Sequence, residues 1–91
     1  MQIELKGNIG DTFFMRNSAA PEGITSCTIR YVLINSYGIE YGYDAELPER
    51  QQGAATHITG DHFDNLLFAS KEDAFQKGLD LDTLHEDRNY L

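Results

Sequence analysis

Apolar and polar residues alternate along two neighbouring stretches of the chain, and this alternation is its clearest structural signal. From Ile24 to Ile34 (ITSCTIRYVLI) β-branched and aromatic side chains dominate, as a pleated strand prefers. A period of two places Cys27, Ile29, Tyr31 and Leu33 on one face and Ser26, Thr28 and Arg30 on the other. Val32 and Ile34 break the pattern, which predicts cover on both sides at the far end of the strand. Asn35-Ser36-Tyr37-Gly38 then supplies a short connection, with Gly38 at the left-handed position. The return run IEYGYDAEL alternates again, Ile39, Tyr41, Tyr43 and Ala45 against Glu40, Gly42, Asp44 and Glu46. Two alternating runs around a tight turn predict an antiparallel hairpin.

Shorter signals flank it. Asn8-Ile9-Gly10-Asp11 has turn chemistry, since Gly10 adopts a positive φ without penalty and Asp11 can bond nearby backbone. Thr12–Arg16 reads as a short strand and residues 17–23 as a loop dense in small and turn residues. Residues 48–56 (PERQQGAAT) have no periodicity and read as an exposed loop. His57-Ile58-Thr59 reads as a strand, Gly60-Asp61 as a turn, and Asn65–Phe68 as a return to the apolar side. Ser70 opens a helix, with Asp73 three residues on in a near match to a capping box and Glu72 beside it where the helix dipole favours acids. Ala74, Phe75, Gly78 and Leu79 line one side at helical spacing, while Leu81 and Leu84 predict one more helical turn. The expected fold class is α+β: a small antiparallel β-sheet or barrel with one C-terminal helix. Residues 1–80 form a single β-rich domain in this reading, and residues 81–91 an acidic C-terminal tail that frays from His85 to Leu91.

Length and composition fit one small globular domain. The chain has 91 residues, 41% apolar and 24% charged, so disorder throughout is excluded. A domain of this size buries roughly 60–65% of its unfolded surface, enough for a single shallow core. No apolar run approaches the ~20 residues of a membrane span, and the start of the chain lacks the pattern of a secretory signal. The expectation is a cytoplasmic protein. The lone Cys27 excludes an internal disulfide and a cysteine-built zinc site, and its apolar surroundings predict a small buried hydrophobe.

Charge changes the functional picture most. Fifteen acids against seven bases give a net charge of −8, a surface that repels phosphates and argues against direct nucleic-acid binding. Such a surface serves solubility or meets a basic partner.

The order of these parts resembles small phage and prophage accessory proteins, which are SH3-like barrels or half-barrels closed by a helix that starts in a segment like lFxTkEEA. The matching residues are Ile9-Gly10-Asp11 and Leu67-Phe68-Ala69-Ser70-Lys71-Glu72-Asp73-Ala74, and the likeness spans roughly residues 8–80. Both motifs are structural, one a turn and the other a capped helix, so no site residue carries over. The resemblance implies an SH3-like barrel and a phage accessory protein in a bacterial cell, either a small effector directed at a host protein or an orphan domain.

Candidate chemistry is sparse. HITGDHFD, residues 57–64, packs His57, Asp61, His62 and Asp64 into eight positions, the right ligand types in a spacing that matches no metal pattern. Cys27 or Ser26 with His57 and Asp61 would make a nucleophile, base and orienting group only if the fold converged them. Neither idea displaces the plainer one of a turn facing water, so no catalytic residue, metal or cofactor is expected. The tyrosines are the better candidates: Tyr31, Tyr37, Tyr41 and Tyr43 cluster on the hairpin, and rigid amphipathic aromatics favour interfaces. Tyr31 and Tyr43 suit the core, whereas Tyr37 at the tip, with Tyr41, suits an interface. Glu72, Asp73, Asp80 and Asp82 form a second candidate surface, able to imitate phosphates before a basic nucleic-acid-binding enzyme. The functional expectation is a non-enzymatic protein-interaction module acting on a host protein. The alternative is an acidic nucleic-acid mimic that inhibits a restriction or CRISPR nuclease, and a metal protein or enzyme comes third. An open sheet edge also makes a homodimer an expected form.

Overall fold

The longest alternating run becomes the longest strand. In the computed structural model, which describes residues 4–52 and 56–86, four antiparallel strands lie side by side in sequence order: β1 (Thr12–Arg16), β2 (Ile24–Asn35), β3 (Gly38–Ala45) and β4 (His57–Thr59). The first turn forms as its residues dictate. Gly10 has φ 94°, its N–H donates to the Ile29 carbonyl, and the Asn8 N–H donates to the Asp11 carboxylate.

β2 and β3 pair from Cys27↔Ala45 to Asn35↔Gly38, but the register slips between Ile29 and Tyr31. Arg30 is the extra residue of a β-bulge. Below it Ile29 meets Tyr43 on the core face; above it Tyr31 lies opposite Gly42, and Val32 opposite Tyr41. The bulge therefore corrects the face expected from a strict period of two. Tyr31 and Leu33 turn to the outer face, and Val32 turns inward to pack against the core. The expected cover at the far end is also absent, since Leu33 and Ile34 are each 51% exposed.

Three short helices follow, where one was expected: α1 (Gly60–Leu66), α2 (Lys71–Lys77) and α3 (Leu81–Glu86). Gly60-Asp61 starts α1 instead of making a turn, because Phe63, Leu66 and Leu67 at helical spacing need one common face to reach the core. Phe63 packs edge-on to Phe13 at 5.1 Å and tilted against Tyr41 at 4.8 Å, and Leu66 and Leu67 are buried beside it. Fully burying such a side chain stabilises by about 1.5–3 kcal/mol. After α1, Phe68 exchanges two backbone hydrogen bonds with Phe14 on the outer edge of β1, at 2.7 and 3.0 Å. That bridge curls the sheet into a half-barrel with its core on the concave side.

Ser70 caps α2 as its sequence predicts, its Oγ accepting from the Asp73 N–H at 3.1 Å. Of the expected apolar face of α2, Ala74 is fully buried but Phe75 is largely exposed, with the Arg16 guanidinium 5.4 Å above its ring. The folded unit continues past Asp80: Leu81 is buried in the core, and Asp82 accepts a hydrogen bond from Gln51. Of the expected frayed tail at residues 85–91, residues 87–91 lie outside the described residues.

Candidate interaction surface

The histidine-rich segment is divided between a strand and a helix. His57 is exposed on β4, Asp61 is exposed in the first turn of α1, His62 is half-buried, and Asp64 pairs with Lys6 at 2.5 Å. Among the described residues no three histidine, cysteine, aspartate or glutamate side chains group as metal ligands, so the four do not converge. The nucleophile constellation is equally dispersed. His57 lies opposite Gly42, which faces Tyr31, so Cys27 and Ser26 stand four and five positions along β2, roughly 15 Å away. Cys27 is buried, and desolvation pushes its thiol up to about 12, the reverse of what a nucleophile needs.

The acidic candidates separate into two kinds. Glu72 and Asp73 lie on α2, where Asp73 approaches Lys77 at 3.7 Å. Asp80 and Asp82 are turned to internal work. Asp80 Oδ1 accepts from the N–H groups of Ser18, at 2.9 Å, and Asp82, at 3.1 Å. Partial desolvation raises its pKa, but the hydrogen bonds from Ser18 and Asp82 and the nearby Arg16 charge outweigh it, and the net direction is down. Asp82 Oδ1 accepts from Gln51 Nε2 at 2.9 Å.

Gln51 belongs to a buried polar cluster that the sequence did not reveal. The expected exposed loop at residues 48–56 contains a 3-10 turn, Glu49–Gln51, that carries Gln51 wholly inside. There its amide and that of Asn17 exchange hydrogen bonds in both directions, at 2.8 and 3.0 Å, and Asn17 Nδ2 also donates to Thr25 Oγ1 at 3.0 Å. Among the described residues no buried side-chain polar atom lacks a partner, so the cluster is satisfied and holds the loop to the end of β1.

The tyrosines fall into three settings. Tyr41, expected at an interface, is wholly buried: its ring packs on Phe63 and its hydroxyl accepts from the Lys6 N–H at 2.9 Å, so it offers a partner no surface. Tyr43 fills the core, where desolvation raises its phenol pKa. Tyr31 covers Gly42 on the outer face and donates to Glu40 Oε2 at 3.0 Å. Tyr37 is 98% exposed at the hairpin tip, where Asn35 Oδ1 accepts its backbone N–H at 2.8 Å and fixes the turn.

Leu33, Ile34 and Tyr37 thus make the hairpin tip apolar on both faces. Beside it a shallow groove of about 160 Å³ runs between Asn35, Tyr37, Ile39 and Glu40 on one wall and Thr59 and Asp61 on the other. The tip also exposes backbone. β1 pairs with β2 only as far as Thr28, Gly10 and Asp11 bond Ile29, and nothing among the described residues pairs with that edge beyond it.

No helix of the described residues is long and apolar enough to cross a membrane. No family model, curated protein or solved structure matches the chain.

Proposed function

We propose that the chain is a non-enzymatic protein-interaction module whose contact surface is the projecting end of the β2–β3 hairpin. The observation that carries this reading is the coincidence of Tyr37, Leu33 and Ile34, exposed together beside a strand edge that none of the described residues pairs. Exposed apolar patches of this kind mark protein contacts, and tyrosine is a frequent anchor within them. The strand order and the closing Phe14–Phe68 bridge support an SH3-like reading of the half-barrel, and the resemblance to phage accessory proteins supports a bacterial host protein in the cytoplasm as partner. The acidic-mimic alternative is weakened by Asp80 and Asp82, whose carboxylates are engaged within the fold.

Affinity capture from bacterial lysate, run in parallel with the wild type and Tyr37→Ala and washed at low and high salt, tests the reading. The expected result is a partner that survives high salt on the wild type and is lost from Tyr37→Ala. Loss of a tyrosine anchor weakens binding by about thirtyfold or more. A partner held equally by both proteins and released by salt would overturn the hairpin reading and restore the acidic surface.

A further inference from the structure

The free edge of β2 has a definite hydrogen-bonding polarity. The Tyr43 N–H donates to the Thr56 carbonyl, so odd positions of β3 point at β4 and the even ones, Gly38, Glu40 and Gly42, point at β2. Their partners Asn35, Leu33 and Tyr31 therefore turn inward, and Val32 and Ile34 direct their N–H and C=O groups outward from the sheet. The other outer edges are bridged or short. β1 is bridged by Phe68, and β4 is three residues long and runs directly into α1. Natural sheets protect such edges with charge, proline or cover. The segment Tyr31–Asn35 carries no charge or proline and no cover among the described residues, in a chain of net charge −8, and its only blunting feature is the bulge beside it at Arg30.

We infer that this edge pairs with the same edge of a second copy, antiparallel about a two-fold axis at Leu33. The inference rests on the hairpin reading above and adds a second copy of the chain as a partner of the same hairpin. The register follows from the outward groups: Val32 of each copy meets Ile34 of the other, giving four backbone hydrogen bonds, whereas a register centred on Val32 or Ile34 gives two. The pleat then sets Leu33 against Leu33 on the outer face and Val32 against Ile34 on the inner face, so each apolar side chain meets another. No charge lies within the paired segment, which lets two strongly acidic copies meet without facing carboxylates across it. The Ser36–Tyr37 turn of the second copy comes opposite Arg30 and the Ile9–Gly10 turn of the first, where Ile9 is itself exposed. A basic partner is not what this edge fits, because the segment carries no carboxylate to attract one.

Sedimentation equilibrium from micromolar to near-millimolar concentration tests the pairing in the wild type and in Leu33→Lys. The wild type is expected to dimerise, and to do so more tightly as salt screens the repulsion between two acidic copies. Leu33→Lys lowers the net negative charge, so long-range electrostatics alone would strengthen the dimer. The two-fold register instead sets two lysines face to face and weakens it by about tenfold or more. Hydrogen exchange on the wild type gives a readout independent of any variant: the Val32 and Ile34 amides gain protection as concentration rises. A monomer at every concentration, a dimer indifferent to Leu33→Lys, or unprotected Val32 and Ile34 amides would each overturn the inference. A monomeric wild type that still retains a host protein through Tyr37 overturns the self-pairing and leaves the interaction module standing. A dimer weakened by Leu33→Lys, with capture indifferent to Tyr37→Ala, does the reverse.

Discussion

Gly42 is a residue whose requirement is steric, and replacing it with alanine tests the geometry of the hairpin directly. Its φ is not positive, so backbone freedom is not the reason for glycine there. A Cβ at this position would stand 1.9 Å from Tyr31 Cε2 and 2.3 Å from Cδ2 and Cζ. The ring must leave, and its hydrogen bond to Glu40 goes with it. Overpacking of this kind costs about 1–3 kcal/mol, offset by the 0.5–1 kcal/mol or so by which alanine is favoured over glycine within a strand. The expected net loss is about 1–2 kcal/mol, a fall in Tm of roughly 4–8 °C per kcal/mol for a domain this small. A Tyr31→Ala background removes the three atoms nearest the new methyl group, and the same change should stabilise by about 0.5 kcal/mol. Urea denaturation of the four proteins measures the coupling. A second readout is the Tyr31 phenol, whose pKa is raised first by its hydrogen bond to Glu40 and then by desolvation; in Gly42→Ala it should fall back towards its ordinary value. If Gly42→Ala costs the same in both backgrounds to within about 0.5 kcal/mol, the ring does not lie on Gly42 and the reasoning fails.

Gln51→Ala removes three hydrogen bonds and leaves the buried Asn17 amide short of partners, so a loss of about 2–4 kcal/mol is expected in urea denaturation, and a loss below about 1 kcal/mol would deny the cluster its structural role. Cys27 should be inert to a thiol reagent in the native protein and titrate as one thiol after unfolding, because burial holds its proton up to about 12; rapid native labelling would contradict that burial. Asp80 has a folded pKa below its ordinary value, so its contribution to stability is present above the ordinary carboxylate pKa and is lost as pH falls through the lowered one. Asp80→Asn should therefore flatten the acid limb of stability against pH, and an unchanged limb would show that the carboxylate is not stabilised by Ser18 and Asp82.

Local patterns carried the elements, and cross-strand contacts decided their faces. Thr12–Arg16, the hairpin, the His57–Thr59 strand and the Ser70 cap are written in β-branched runs, turn residues and a capping hydroxyl, each of which acts within a few positions. The bulge at Arg30 is not local in this sense. Its only trace in the sequence is the apolar pair Val32 and Ile34 falling out of phase, and cover on both sides explains that trace equally well. Gly60-Asp61 misled because a turn dipeptide and a helix start use the same residue types; the spacing of Phe63, Leu66 and Leu67 was the stronger signal. Gln51 gave no signal, since its burial depends on Asn17, 34 residues away. The exposure of Tyr37 was legible from its place in the turn. The burial of Tyr41 was not, because it depends on Phe63 and the Lys6 backbone folding over the same spot.

The bulge also makes an unusual deletion tolerable. Removing one residue from the middle of a strand ordinarily sends every following side chain to the opposite face of the sheet. Here Ile29 faces Tyr43 and Tyr31 faces Gly42, neighbouring positions on β3, with Arg30 the extra residue between their partners. Deleting Arg30 therefore leaves each remaining pair in place: Tyr31 stays over Gly42, and Val32 stays against Tyr41. What goes with Arg30 is its exposed ion pair to Asp44, at 3.1 Å, of a kind that contributes little to stability. The deletion variant should thus keep the wild-type far-UV spectrum and unfold cooperatively, with the Tyr31–Gly42 coupling intact. A bulge also bends and twists its strand, which blunts an edge. Without it β2 runs flatter past Ile29, and self-association through Val32 and Ile34 should rise. Collapse of the fold on deletion would mean that Arg30 is a regular member of the ladder and that the faces assigned to Tyr31–Asn35 are wrong. An intact fold with weaker association would mean instead that the bend at Arg30 presents the edge to its partner.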